Sequence, residues 1–214
     1  MKTVLKYLSF ALILLIGCSE NQQINSPIDN NSNLKSTNPN VPGYMETQSA
    51  VLLDVEPDWI NMPSANSSTQ SSTFYKSQMV YNDSANNIII DTFYLGGMHD
   101  TVEFKFKLKF MPGDLPQDSM FVTVELDIEN GTLKFGPAAV FNSPARLDYK
   151  IKGLDFSVMD PYKLRFIYAC DNGIIEPVVC EKYEIKESDG SIQMWKGEIP
   201  HFSRYGFVRR NVGY

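Results

Sequence analysis

Two stretches of strict alternation constrain this chain more than anything else in it. Thr101–Phe110 puts Val102, Phe104, Phe106, Leu108 and Phe110 on one side and Glu103, Lys105, Lys107 and Lys109 on the other. Phe121–Glu129 sets Val122, Val124, Leu126 and Ile128 against Thr123, Glu125, Asp127 and Glu129. Successive side chains of an extended chain point to opposite faces, so a period of two describes a strand with one face buried and the other in water. Lys163–Ala169 alternates through Leu164, Phe166 and Tyr168, and Ile88–Tyr94, Ala145–Ile151, Tyr183–Lys186, Ile192–Ile199 and Gly206–Arg210 read as further strands. Turn signals separate them: Gly96-Gly97, Pro112-Gly113, Asn130-Gly131, Asp171-Asn172-Gly173 and Ser188-Asp189-Gly190. No stretch holds a helical period over three turns. The pattern predicts an all-β fold, an antiparallel β-sandwich over residues 74–214. Thirteen Phe and eleven Tyr supply material for its core.

The N-terminal part follows different rules. Lys2 and Lys6 precede a nearly apolar run from Tyr7 to Ile16, which ends in Gly17-Cys18. A positive start, a short apolar stretch and a small residue before the cut describe an export signal over residues 1–17. Crossing a bilayer as a helix takes about 20 apolar residues, and this run is too short. Leu15-Ile16-Gly17-Cys18 resembles the lipobox of bacterial lipoproteins. The resemblance implies a diacylglyceryl group on the Cys18 sulfur, cleavage before Cys18 and acylation of the new amino group by palmitate or a similar chain. Two or three acyl chains anchor firmly where one does not. Ser19 follows Cys18 where an inner-membrane lipoprotein carries aspartate, which favours the outer membrane. Glu20 resembles, on one residue, an acidic surface-export signal, so the periplasmic and surface faces both stay open.

Residues 19–40 contain seven Asn and four Ser and no aromatic residue. Such a segment buries too little apolar surface to offset its ordering entropy. It reads as a disordered tether over residues 18–45, followed by an irregular lead-in over 46–73 with a polar loop at Ser64–Thr73.

The chain has 19 basic and 25 acidic residues. Removing Lys2 and Lys6 with the signal leaves 17 against 25, a net charge of −8. That balance argues against nucleic acid, whose binding depends on neutralising phosphates, and against a broad hold on anionic lipid. No cofactor motif is present. With His99 and His201 as its two histidines, the chain is not expected to bind zinc. Cys170 and Cys180 would meet an oxidising compartment after export, where disulfides persist. A regular hairpin around Asp171-Asn172-Gly173 would put them at opposite ends of its second strand, too far apart to bridge, whereas a closed loop through Glu176-Pro177 would permit a bridge. Both arrangements remain open.

The lysine stripe of Thr101–Phe110 reads either as a binding face or as a solvated face paired with Glu125 and Asp127, should those strands be neighbours. His99-Asp100 reads as a solvated turn.

Several short motifs recur in a meaningful order. They are Gly96-Gly97, Met111-Pro112-Gly113-Asp114-Leu115, Leu133-Lys134-Phe135-Gly136-Pro137, Phe141-Asn142-Ser143-Pro144-Ala145-Arg146-Leu147 and His201-Phe202-Ser203-Arg204-Tyr205. In that order they resemble the ZU-five β-sandwich of zonula occludens scaffolds, netrin receptors and ankyrins, and more closely its bacterial exported relatives, over about residues 74–210. The resemblance implies a scaffolding or interaction domain without a cofactor. One branch, the death-domain protein PIDD, cleaves its own chain between the Phe and Ser of a His-Phe-Ser motif, which would correspond to His201, Phe202 and Ser203. There the serine hydroxyl attacks the preceding carbonyl, the amide becomes an ester, and histidine assists proton movement. Arg204 stands where that branch has an aromatic residue. The alternative role for these residues is structural, with Phe202 and Tyr205 anchoring the last strand and His201 and Ser203 held by local hydrogen bonds.

The expected function is therefore a non-enzymatic, envelope-anchored binding or structural module with a protein or glycan partner. Self-cleavage at Phe202–Ser203 is one alternative. A hydrolase drawing on Glu176, Asp171 and His99 is the other.

Overall fold

The computed structural model describes residues 51–52, 57–66, 72–169 and 174–209. The expected signal, the tether, Cys18, Cys170 and Asp171 lie outside the described residues. Twelve strands are present among them: β1 (Val51–Leu52), β2 (Thr73–Tyr81), β3 (Asn86–Leu95), β4 (Thr101–Phe110), β5 (Ser119–Asp127), β6 (Thr132–Gly136), β7 (Val140–Lys152), β8 (Leu164–Ala169), β9 (Ile174–Pro177), β10 (Lys182–Lys186), β11 (Ser191–His201) and β12 (Arg204–Arg209). They form two sheets, in the orders β1-β9-β8-β12-β6-β5-β2 and β10-β11-β7-β4-β3. Neighbouring strands run antiparallel throughout, as in β4 with β7 and β5 with β6. The fold is the expected all-β sandwich.

The alternating strands bury the faces the sequence marks. Val102, Phe104, Leu108 and Phe110 of β4 and Val122, Val124 and Leu126 of β5 are fully enclosed. Between the sheets, Phe135 stacks on Phe202 with centroids 5.4 Å apart, and Phe141 meets Phe202 edge-on at 4.8 Å. Such pairs contribute about 0.5–1.5 kcal/mol beyond the area they bury. Tyr149 is wholly enclosed and its hydroxyl donates to the Gly131 carbonyl at 2.9 Å. Burial, helped by the nearby Asp127 charge, raises its pKa well above the usual tyrosine value.

Residues 57–66 pass along the sandwich without regular structure. Trp59 bridges Val208, and the Ile60 N–H donates to the Phe207 carbonyl at 3.0 Å. Ile60 enters the core, while Trp59 joins Ile167 and Ala169 in a second apolar cluster.

The expected pairing of the lysine stripe with Glu125 and Asp127 does not occur. β4 lies between β3 and β7, whereas β5 belongs to the other sheet between β2 and β6. Alternation declares which face of a strand is buried but says nothing about its neighbour, so strands of identical pattern fell into opposite layers.

Candidate functional site

His201-Phe202-Ser203 is where the chain changes sheets. β11 ends at His201, paired with Val140 of β7, and β12 begins at Arg204, flanked by Ala169 of β8 and Lys134 of β6. A crossing between layers leaves backbone groups without ladder partners, and here local bonds satisfy them. The Phe202 N–H donates to the Ala139 carbonyl at 2.9 Å, and the Ser203 carbonyl accepts from the Phe135 N–H at 3.1 Å. The Ser203 hydroxyl donates to the Ala169 carbonyl at 2.5 Å, and the Tyr205 hydroxyl donates to the His201 carbonyl at 2.6 Å. Phe202 and Tyr205 are buried.

The imidazole of His201 packs edge-on against Tyr168 at 4.6 Å, with its Nδ1 3.5 Å from the Phe202 carbonyl oxygen. Burial lowers the His201 pKa. Glu176 stands directly across β8–β9 from Tyr168 and accepts its hydroxyl hydrogen bond. Burial first, and Glu176 next, push the Tyr168 pKa up, and burial does the same to Tyr205.

An amide-to-ester shift needs the Ser203 oxygen at the Phe202 carbonyl carbon and a base for its proton. The hydroxyl proton is instead held by the Ala169 carbonyl, and the imidazole meets the carbonyl oxygen of Phe202. Neither Phe202 nor Ser203 has a left-handed backbone; among the described non-glycine residues only Asp100 and Lys196 have positive φ.

His99 sits in the turn before β4, close to Gly190 and to Asp155. That turn and His201 lie at opposite ends of β11, so His99 and Glu176 do not converge. Asp155 has a lowered pKa, first because the Ser157 hydroxyl donates to it. No group of three or more potential metal ligands occurs among the described residues. Cys180 is buried, with its thiol directed at the Lys182 carbonyl at 3.6 Å, and the Cys170–Cys180 question turns on a residue outside the described set.

One feature escaped the sequence pattern. On the outer face of the larger sheet, Tyr75, Met79 and Tyr81 of β2 line up beside Phe121 of β5, with Met79 and Phe121 directly opposite. Their exposures are 72%, 41%, 53% and 54%. Ser77, Thr123 and Glu125 lie between and beside them on the same face. The signal was available: apolar residues at 75, 79 and 81 and polar ones at 76 and 78 are the reverse of a core pattern.

No protein-family model, curated protein or solved structure matches this chain. The molecule is defined by its own geometry, an antiparallel β-sandwich with exposed apolar residues on both outer faces, Tyr75, Met79, Tyr81 and Phe121 on one and Ile89, Phe93 and Leu95 on the edge strand of the other.

Proposed function

We propose that this protein is an envelope-anchored lipoprotein whose ZU-five-like β-sandwich is a non-enzymatic binding module. Lipid on Cys18 holds it, in the outer membrane, and the polar segment 18–45 tethers it. The observation that carries the binding role is the exposed strip of Tyr75, Met79, Tyr81 and Phe121. Exposed apolar side chains gathered on one face, Met79, Tyr81 and Phe121 together and Tyr75 beyond the Ser77–Thr123 pair, mark an interaction site, and tyrosine supplies contact area at low entropic cost. The strip suits a partner protein or the flat faces of a glycan.

The test compares the wild-type chain with Tyr75→Ser/Phe121→Ser for retention on native envelope fractions. Retention by the wild type and its loss in the variant, with thermal melting unchanged, is the expected result. Equal retention by both proteins sinks the proposal.

A second reading, self-cleavage at Phe202–Ser203, draws support from His201 Nδ1 beside the Phe202 carbonyl. Intact mass under denaturing conditions separates the two. A chain whole through Tyr214 in wild type and in Ser203→Ala supports the binding module. Loss of the 203–214 peptide from wild type alone supports self-cleavage. The same spectrum reports the lipid on Cys18.

A further inference from the structure

The outer face of the five-stranded sheet has its own exposed apolar residues on the edge strand β3, Ile89, Phe93 and Leu95, and beside them a basic band. β4 contributes Lys105, Lys107 and Lys109, and its neighbour β7 contributes Arg146, Lys150 and Lys152. The acids on the same face of these two strands are Glu103 and Asp148, in a chain whose acids outnumber its bases 25 to 19. The register places Lys105 directly opposite Lys150, and Lys109 directly opposite Arg146. Like charges facing each other across a ladder destabilise it. Three of the six are compensated: Lys105 by Asp91 at 3.4 Å, Arg146 by Glu198 at 2.5 Å and Lys152 by Glu103 at 3.4 Å. Lys107, Lys109 and Lys150 make no ion pair among the described residues, although Lys107 stands directly opposite Asp148 in the ladder.

Two of these uncompensated lysines border a depression of about 240 Å³ in the middle of the face. Lys105, Lys107 and Lys150 wall it together with Asp91, Asp148 and Gln193. Gln193 lies directly across from Lys150, and Asp148 already accepts the Lys196 N–H at 2.9 Å. The depression therefore offers the ammonium groups of Lys107 and Lys150, neither in an ion pair, an amide and carboxylate acceptors, beside the apolar Ile89. That donor set complements a ring bearing one carboxylate and several hydroxyls.

We propose that this face binds an acidic polysaccharide, with one uronate-type residue seated in the depression. Its carboxylate lies between Lys107 and Lys150, and its hydroxyls meet Asp148 and Gln193. Charge density favours this occupant over nucleic acid. Duplex DNA carries one charge per about 1.7 Å, whereas residues on one face of a strand are about 6.8 Å apart. The exposed aromatic rings of this face stand outside the depression: Phe93 on the edge strand β3, opposite Glu103, and Trp195, with Lys182 over it at 4.3 Å, at the β10 margin. A continuous anionic bilayer is disfavoured by Asp91 and Asp148, which repel a charged plane but accept hydroxyls. The surface is on the opposite side of the sandwich from the Tyr75–Phe121 strip, so the two sites fail independently.

The experiment titrates the full chain with polygalacturonate, neutral dextran, duplex DNA and phosphatidylglycerol vesicles, every protein, the one with the wild-type face included, carrying Cys18→Ser so that no acyl chain inserts into the vesicles. Wild type is expected to bind polygalacturonate, more weakly as salt rises, and to bind the other three far less. Lys107→Gln/Lys150→Gln is expected to weaken polygalacturonate binding about tenfold or more. Lys134→Gln/Lys163→Gln, with the same charge change elsewhere, leaves it intact. The thermal midpoint of the first variant should hardly change, because losing the Lys105–Lys150 repulsion offsets losing the Lys107–Asp148 attraction across the ladder. Equal loss in both double variants, no loss in either, or DNA or vesicles binding as tightly as polygalacturonate would overturn the proposal.

Discussion

Gly206 shows how much one missing methyl group decides. A Cβ there would lie 2.9 Å from the Thr132 methyl and 3.0 Å from the Trp59 ring. Its absence lets Trp59 lie across β12 onto Ile167 and Ala169, while Arg204 sits over the indole at 5.1 Å. Gly206→Ala is expected to lower stability by about 1–3 kcal/mol through overpacking, read by urea unfolding. His201 makes a prediction in pH. Burial depresses its folded-state pKa below the ordinary 6.5, so the unfolded chain takes up the proton first as pH falls. The stability gained by burying neutral imidazole is complete above pH 6.5 and declines as pH drops below it. The wild-type melting temperature should therefore fall more than that of His201→Gln between about pH 7.5 and about pH 5. Identical slopes would contradict this.

At the scale of the element, β2 and β4 are opposites. β4 keeps every apolar residue inward. β2 ends its sheet, points Lys76 and Gln78 toward the inner side and turns Tyr75, Met79 and Tyr81 outward. Charged or polar residues at inward positions of an edge strand discourage pairing with another chain. The β4–β7 ladder carries the reverse compromise, tolerating Lys105 opposite Lys150. Lys150→Glu turns that pair into an attractive one and should raise stability by about 0.2–1 kcal/mol, while abolishing polygalacturonate binding. A variant both less stable and still binding would count against the assigned face.

For the whole molecule, the segment before β2 belongs to the domain. Ile60 is fully enclosed, Trp59 and Met62 are nearly so, and Asp58 pairs with Arg209 at 2.7 Å. Each such apolar side chain contributes about 1.5–3 kcal/mol on burial. A chain beginning at Phe74 should melt far below one beginning at Pro57, or fail to fold, as followed by near-ultraviolet circular dichroism. Similar melting of the two would show that residues 57–66 merely decorate the sandwich. The edge strands β2 and β3 are consecutive and joined by a short turn. Both sheets thus end on the same side, beside the apolar strip.

By itself the sequence determined what is local. Thr101–Phe110 and Phe121–Glu129 alternate because burial of one face acts on each strand separately, and that made the sandwich legible. Thr73–Tyr81 was not legible as a strand, because an edge position relaxes the demand for apolar residues inside. Thr132–Gly136 was too short to show a period. Which strands are neighbours depends on long-range packing, so only the tertiary structure could put β7 rather than β5 beside the lysines of β4. The same holds for the surfaces. His201-Phe202-Ser203 could be picked out as a motif, but the bond from Ser203 to Ala169 exists because β12 lies against β8. Met79 and Phe121, or Lys105 and Lys150, meet only across a ladder, and no spacing along the chain encodes a ladder's register.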